Sequence, residues 1–372
     1  MNFKSIFYKL KNIFNINNYT NRPAYVGRPN ILNSKKFIID SIKILNSKTL
    51  TNDGINVKKF EDIVSKISGS SYAIAVNNAT IGLALTFKAL DLKGEIIIPS
   101  FTFIASAHAA EWAGLKPVFV DVNPDTHSIN IDKIEQSINE KTCAILGVHL
   151  WGLCCDVDEI DFIADKYNIP IIFDAAQAFD SKYKNRKIGE LGLASIISFH
   201  ATKYINSIEG GVILTNDRGL SEKLKKMRNF GFSGFDNVSM LGINGKMNEF
   251  CAAMGISNIG RLNLIKKINF KNYKFYKKLL NDIDGIELLN IPTHLQFNYQ
   301  YIVLNIDSDK LGIHRDQLID KLHAKKIFAR KYYYPGCHKS MPYSSREDVK
   351  KSRLNITESL SDSVMVMPTG SN

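Results

Sequence analysis

The chain has 372 residues, of which 45% are hydrophobic and 23% charged, as is typical of a soluble globular protein with a sizeable core. Its five cysteines are scattered in a way that fits neither a disulfide framework nor a zinc site, which predicts no metal centre and a reducing, cytoplasmic location. The formal net charge of +12 favours anionic partners, but the sequence contains no nucleic-acid-binding module that would use it.

Residues 1–21 are predicted to be a basic amphipathic extension. Six apolar side chains fall near a helical period, with lysines and no acid among them: Phe3, Ile6, Phe7, Leu10, Ile13 and Phe14. Such a helix could lie on a membrane surface or on a partner, and the alternative is a terminal helix that docks on its own protein or frays. Because lysines interrupt the apolar stretch, it is not a secretory signal peptide.

Short apolar runs alternate with helical patterns between residues 70 and 215. The predicted strands cover 72–76, 95–99, 117–120, 143–148, 170–174, 194–199 and 211–215. The predicted helices between them include 80–90, 104–113, 131–138 and 157–167. Continuous apolar strands that alternate with helices predict an α/β fold, with a mostly parallel sheet covered by helices on both faces.

The pattern changes after residue 245. One long helical stretch is predicted over 246–280, followed by a strand over 299–306 and a helix over 315–325. These elements predict a second, smaller α+β unit. The expected division is therefore a large domain at 22–245 and a small domain at 246–372.

Ligands bind beyond the carboxyl ends of strands in open α/β sheets, and Asp174 follows a buried strand directly. A carboxylate there costs desolvation energy unless a cation or donors meet it. A protonated heteroaromatic nitrogen, as in pyridoxal phosphate, is one natural partner. The alternative is a carboxylate that caps the next helix.

Two further strand ends carry candidate residues. Lys203 leaves the predicted strand 194–199, and a desolvated lysine can form an imine with an aldehyde, although an isolated lysine is more often a surface residue. Ser198, at that strand end, could bind a phosphate. Thr80 stands at the start of a helix, where backbone N–H groups bind anions, and a simple N-cap by Asn78 or Thr80 is compatible with that role.

The joint order of these segments resembles the DegT/DnrJ/StrS sugar aminotransferases, which are fold-type I pyridoxal-phosphate enzymes. The resemblance runs from about residue 22 to the end of the chain. The matching segments are 22–29, 50–54, 77–80, 99–103, 148–152, 174–177, 198–203, 209–211, 229–232 and 242–249.

The resemblance implies a role for each matching site residue. Lys203 would be the catalytic residue, carrying pyridoxal 5'-phosphate as an aldimine and moving the proton between cofactor and sugar. Asp174 would pair with the pyridine nitrogen, Gln177 would lie near the ring hydroxyl, and Phe103 would stack on the ring. The phosphate would be held by Thr80, the Ile81 backbone and Ser198, and by Asn244 from the neighbouring subunit of a homodimer.

The implied reaction transfers an amino group, with L-glutamate as donor, to a nucleotide-linked keto sugar. Within the family, the segments resemble 4-aminotransferases that act on dTDP-4-dehydro-6-deoxy-D-glucose. Three alternatives remain: a 3-keto or UDP-sugar aminotransferase of the same family, a non-catalytic relative that binds a nucleotide sugar, and a nucleic-acid-binding protein that uses the positive charge. The retained Lys203 and Asp174 favour transamination over the last two.

Overall fold

A computed structural model describes residues 23–292 and 294–371 of the chain. Its strands are β1 (Ala24–Tyr25), β2 (Tyr72–Val76), β3 (Glu95–Pro99), β4 (Lys116–Val120), β5 (Thr142–Val148), β6 (Ile171–Asp174), β7 (Lys182–Tyr183), β8 (Arg186–Lys187), β9 (Ala194–Ser198), β10 (Gly211–Thr215), β11 (Ile286–Leu288), β12 (Leu295–Gln296), β13 (Ile302–Ile306), β14 (Ile327–Phe328) and β15 (Val364–Met367). Its helices are α1 (Ser34–Ser47), α2 (Ile55–Ser68), α3 (Ala79–Ala89), α4 (Ala105–Trp112), α5 (Ile131–Ser137), α6 (Val157–Tyr167), α7 (Arg218–Met227), α8 (Glu249–Ile259), α9 (Leu262–Leu280), α10 (Ser308–Leu311), α11 (Arg315–His323), α12 (Glu347–Lys350) and α13 (Asn355–Ser363).

Seven strands form the large sheet, in the order β2-β10-β9-β6-β5-β3-β4. Within this sheet every neighbouring pair is parallel except the two pairs that β10 makes with β2 and β9. Helices cover both faces: α2, α6 and α8 belong to the apolar core on one side, and α3, α4 and α7 to the core on the other. This arrangement confirms the predicted α/β fold with a mostly parallel sheet.

A separate core lies on one face of the antiparallel sheet β11-β13-β15. Tyr276 and Leu280 of α9 and Leu318 of α11 pack there. The short strand β1 runs parallel to β14, so the first residues of the described chain join this C-terminal unit. The predicted domain division at residue 245 stays a prediction. α8 begins after that residue, and it packs in the core of the large sheet.

The single helical stretch predicted over 246–280 is wrong in one respect, because the structure has two helices there. α8 ends at Ile259, and α9 begins at Leu262, after Gly260 and Arg261. Glycine is a poor helix former, and the interruption falls at that residue. This interruption allows α8 to pack in the core of the large sheet, while α9 leads to the C-terminal unit.

The predicted N-terminal extension, residues 1–21, lies outside the described residues. In the part of the chain that the structure describes, we find no helix with both the length and the apolar character needed to cross a membrane. The five cysteines are free thiols; Cys143 is half-buried and the others are buried.

Candidate active site

Three strand ends meet at one edge of the large sheet. β2 and β9 run in the same direction and end at Val76 and Ser198, and β10 begins between them at Gly211. The strand register pairs Gly211 with both Val76 and Ser198. β6 lies on the other side of β9 and ends at Asp174. The segments after β2, β6 and β9 therefore share the edge at which open α/β sheets bind ligands.

The absence of a side chain at Gly211 lets the start of α3 pack closely against β10. A Cβ atom there would lie 2.6 Å from the backbone nitrogen of Ala79, the first residue of α3. Asn78 caps this helix, because its Oδ1 accepts the N–H of Ile81 at 2.9 Å. The start of a helix attracts anions, and an anion at the Ile81 N–H would share that donor with Asn78. This region contains the residues that the resemblance assigns to the phosphate: Thr80, Ile81 and Ser198.

The carboxylate of Asp174 is held by donors on both of its oxygens. The Ser106 hydroxyl donates to Oδ2 at 2.6 Å, and the backbone N–H of Ala176 donates to Oδ1 at 3.0 Å. The side chain is almost buried, with 6% of its surface exposed. Hydrogen bonds of this kind fix the orientation of the carboxylate. Asp174 is therefore a preorganised acceptor at the carboxyl edge of the sheet.

Lys203 lies in a tight turn after β9, where its backbone N–H donates to His200 at 2.9 Å. Burial lowers the pKa of the Lys203 amine from 10.5 to about 8, and the negative charge of Asp174 partly opposes this shift. The two side chains therefore act on each other electrostatically. A lysine in this state has much more free amine near neutral pH than an ordinary lysine, and free amine is the form that attacks an aldehyde.

Gln177 connects the sheet edge to the C-terminal unit. Its Oε1 accepts the N–H of Trp151 at 2.7 Å, and its Nε2 donates to the hydroxyl of Tyr333. The ring of Tyr333 stacks on that of Trp151, with centroids 5.2 Å apart. Burial raises the pKa of Tyr333 far above its usual value, so the hydroxyl stays protonated.

Phe103 and Asn244 are both exposed in the single chain. The ring centroid of Phe103 lies 6.3 Å from that of Tyr333, so its free face is available to a planar ligand. Asn244 forms a bridge with Asn229, and its neighbour Gly245 accepts the N–H of Asn77 at 2.8 Å. The structure thus brings Asp174, Lys203 and Gln177 to the strand ends and leaves Asn244 on the outer surface beside β2.

The structure adds two residues that the sequence did not indicate. Ser106, on α4, holds Asp174, and Tyr333, in the C-terminal unit, holds Gln177. A serine on the helix that follows β3 could have been considered, since that helix begins at the same sheet edge. Nothing in the sequence around Tyr333 pointed to a partner about 150 residues earlier.

A model of the DegT/DnrJ/EryC1/StrS aminotransferase family matches residues 33–372. The chain belongs to this family. The dTDP-4-amino-4,6-dideoxy-D-glucose transaminase of Shigella dysenteriae is 37% identical over 315 residues, which cover 84% of this chain and 85% of that protein. The Escherichia coli enzyme of the same name is 34% identical, with 92% of both chains covered.

Solved structures of aminotransferases have the same fold. DesI, crystallised in the presence of its TDP-sugar product, superposes with a TM-score of 0.90 at 37% identity, covering 94% of this chain and 88% of that chain. PseC of Helicobacter pylori, involved in pseudoaminic acid biosynthesis, superposes with a TM-score of 0.88 at 25% identity, covering 94% of this chain and 95% of that chain. These findings confirm the predicted family, the aminotransferase activity and the dependence on pyridoxal phosphate.

The residues of this DegT/DnrJ/EryC1/StrS aminotransferase fit the cofactor. The aldehyde of the cofactor requires an amine, and its pyridine nitrogen requires a carboxylate. The amine of Lys203, with its lowered pKa, and the fixed carboxylate of Asp174 lie within electrostatic reach of each other. The backbone N–H groups at the start of α3, which packs against Gly211, suit a phosphate. Lys203, Asp174 and the first turn of α3 are therefore the groups that would hold it.

The lowered pKa of Lys203 makes cofactor loading depend on pH. We expect the rate of pyridoxal phosphate incorporation into cofactor-free protein to rise through pH 8 and then level off, instead of rising towards 10.5. Because Asp174 raises this pKa, Asp174→Asn should move the midpoint to lower pH. Visible absorbance after mixing measures the rate. A midpoint near the ordinary lysine value would contradict the burial of the amine.

Proposed function

We propose that this enzyme transfers the amino group of L-glutamate to C4 of dTDP-4-dehydro-6-deoxy-D-glucose. Two relatives that match most of the chain are dTDP-4-amino-4,6-dideoxy-D-glucose transaminases, and DesI was solved with a TDP-sugar product. The electrostatic coupling of Lys203 to Asp174 at the sheet edge is the observation that carries the aminotransferase chemistry. The alternatives of the same class are a 3-keto sugar or a UDP sugar as acceptor.

Bound pyridoxal phosphate supplies an aldehyde that takes up the amino group and a cationic ring that withdraws electrons from the substrate carbon. Asp174, held by Ser106 and the Ala176 N–H, keeps a negative charge where the ring nitrogen would lie. Lys203 supplies an amine that is basic enough to take a proton from carbon and weakly basic enough to return it near neutral pH. One lysine can therefore serve both directions of the proton transfer.

The remaining site residues would bind and orient the cofactor. In this proposal Thr80, the Ile81 backbone and Ser198 would hold the phosphate beside the start of α3. Gln177 would lie near the ring hydroxyl, and its bonds to the Trp151 N–H and the Tyr333 hydroxyl keep its amide in one orientation. The exposed face of Phe103 covers the ring.

Exposed apolar side chains support a homodimer. Four residues on α1 each expose 54–59% of their surface: Ile38, Ile39, Ile42 and Leu45. Three further apolar side chains are exposed on the segment after α7: Phe235, Val238 and Leu241. Clustered apolar residues on a surface usually mark an interface. We propose that a second copy covers them and that Asn244, on the same segment, reaches the partner's phosphate. A cytoplasmic location also stays a prediction.

The acceptor is tested by mass spectrometry of the products. Purified enzyme is incubated with pyridoxal phosphate, L-glutamate and one of three acceptors: dTDP-4-dehydro-6-deoxy-D-glucose, its 3-keto isomer, or a UDP-4-keto sugar. We expect an amino sugar only from the first. A product from either of the others assigns that alternative. Binding of a nucleotide sugar without any aminated product would instead indicate the non-catalytic relative.

A further inference from the structure

The segment Val26-Gly27-Arg28-Pro29 has no role in the site described above, yet it lies against the Lys203 turn. The preceding strand β1 is fixed to β14, and the Val26 N–H donates to Phe328 at 3.3 Å. Gly27 has a φ of 74°, and a Cβ atom there would lie 2.9 Å from the Cβ of Thr202. Only glycine allows both this backbone conformation and this approach. Arg28 is therefore held close to the turn that carries Lys203.

Arg28 and Lys203 line one narrow cavity of about 20 Å³. That volume admits one water-sized group, such as one carboxylate oxygen. Two buried amide oxygens, Asn269 Oδ1 and Gln300 Oε1, belong to residues of its wall, and neither has a protein partner in the described structure. The Gln300 Nε2 donates to Thr202 at 3.3 Å, which leaves Oε1 as the unpaired end. Arg28, a cation, thus lines the same cavity as Lys203, and the two amide oxygens are enclosed by protein.

The guanidinium of Arg28 lacks an acidic partner among the described residues. It donates one long hydrogen bond, 3.5 Å to the carbonyl of Pro23. By contrast, Arg228 and Arg346 each pair with two acids. Arg28 is exposed and lines the cavity. A guanidinium in this position is suited to a planar carboxylate, which it binds through two parallel hydrogen bonds.

We propose that Arg28 binds the carboxylate of the amino-acid donor. This inference rests on the proposed function, since it concerns the donor half of the same reaction. The reacting amino group and the α-carboxylate are attached to one carbon, so a cation that shares a cavity with Lys203 is placed for the carboxylate. The sugar nucleotide has no carboxylate, so Arg28 acts in one half-reaction only.

The test measures two quantities on cofactor-loaded Arg28→Gln enzyme. The first is the dissociation constant of glutarate, an unreactive dicarboxylate, by calorimetry. The second is the rate of each half-reaction, followed by absorbance with L-glutamate or with dTDP-4-amino-4,6-dideoxy-D-glucose. Loss of a charge-assisted pair should weaken glutarate binding and raise the half-saturating glutamate concentration roughly 10- to 100-fold. The sugar half-reaction should change less than about twofold. Arg28→Lys should fall between wild type and Arg28→Gln.

Arg330→Gln is the matched control, because this exposed arginine lies over the ring of Tyr332 at 5.1 Å from its centroid and has no place in the proposed site. We expect it to leave glutarate binding unchanged. The proposal is wrong if Arg28→Gln does not weaken glutarate binding, if both half-reactions slow by the same factor, or if Arg330→Gln causes the loss instead. Glutarate binding and the glutamate half-reaction involve no sugar, so they test Arg28 even if the acceptor named above is wrong.

Discussion

Lys203→Ala is expected to lower the rate of amino-sugar formation by roughly three to four orders of magnitude. A positioned acid–base group contributes about 10²–10⁴-fold to a rate, and this variant also loses the amine that attaches the cofactor. The lowered pKa of Lys203 shows that its surroundings suit both roles. Initial rates with saturating substrates, read by mass spectrometry, measure the loss.

The matched control is Lys223→Ala. Lys223 pairs with Asp91 on the protein surface, so this variant should keep the wild-type rate within about twofold. Borohydride adds a second measurement that does not depend on turnover. Reduction should attach the cofactor covalently to wild type and to Lys223→Ala, but not to Lys203→Ala. Near-normal turnover by Lys203→Ala would exclude Lys203 as the catalytic residue.

Asp174→Asn should reduce the transamination rate by about 10²–10³-fold, the usual loss when a preorganised charge opposite a developing charge is removed. An amide has nearly the same shape as the carboxylate but cannot hold the ring nitrogen in its protonated form. The substrate carbon would then lose its proton much more slowly. The maximal rate of the glutamate half-reaction, followed by absorbance, tests this expectation.

Ser106→Ala provides a graded comparison for Asp174→Asn. It removes the 2.6 Å hydrogen bond to Oδ2 but leaves the charge of Asp174 and the bond from Ala176. We expect a loss of about tenfold, in line with one hydrogen bond to a charged group. Equal losses in the two variants would mean that the orientation of the carboxylate matters and its charge does not.

The buried strands were the part of the fold that the sequence predicted best. The predictions for 72–76, 95–99 and 211–215 coincide with β2, β3 and β10. A short, continuous apolar run between turn residues is typical of a strand that is buried on both faces. The strand predicted over 299–306 begins only at Ile302 in the structure. Tyr299 has a φ of 55°, outside the β region, and periodicity does not report a single backbone angle.

The residues that were predicted at strand ends lie at one edge of the large sheet, because parallel strands end at the same edge. The partners of these groups could not be predicted. Tyr333 reaches Gln177 only through the packing of the C-terminal unit on the large sheet, and Arg28 approaches the Lys203 turn only because β1 pairs with β14. Such contacts depend on tertiary structure and leave no local pattern in the sequence.

The reversed direction of β10 affects how the protein is made. A ribosome releases the first turn of α3 long before it releases Gly211, and the start of α3 packs against Gly211 only when β10 inserts between β2 and β9. A nascent chain that ends before residue 211 therefore has Lys203 but no finished place for the phosphate. Binding of the coenzyme by a nascent chain would thus indicate that all seven strands of the large sheet have paired.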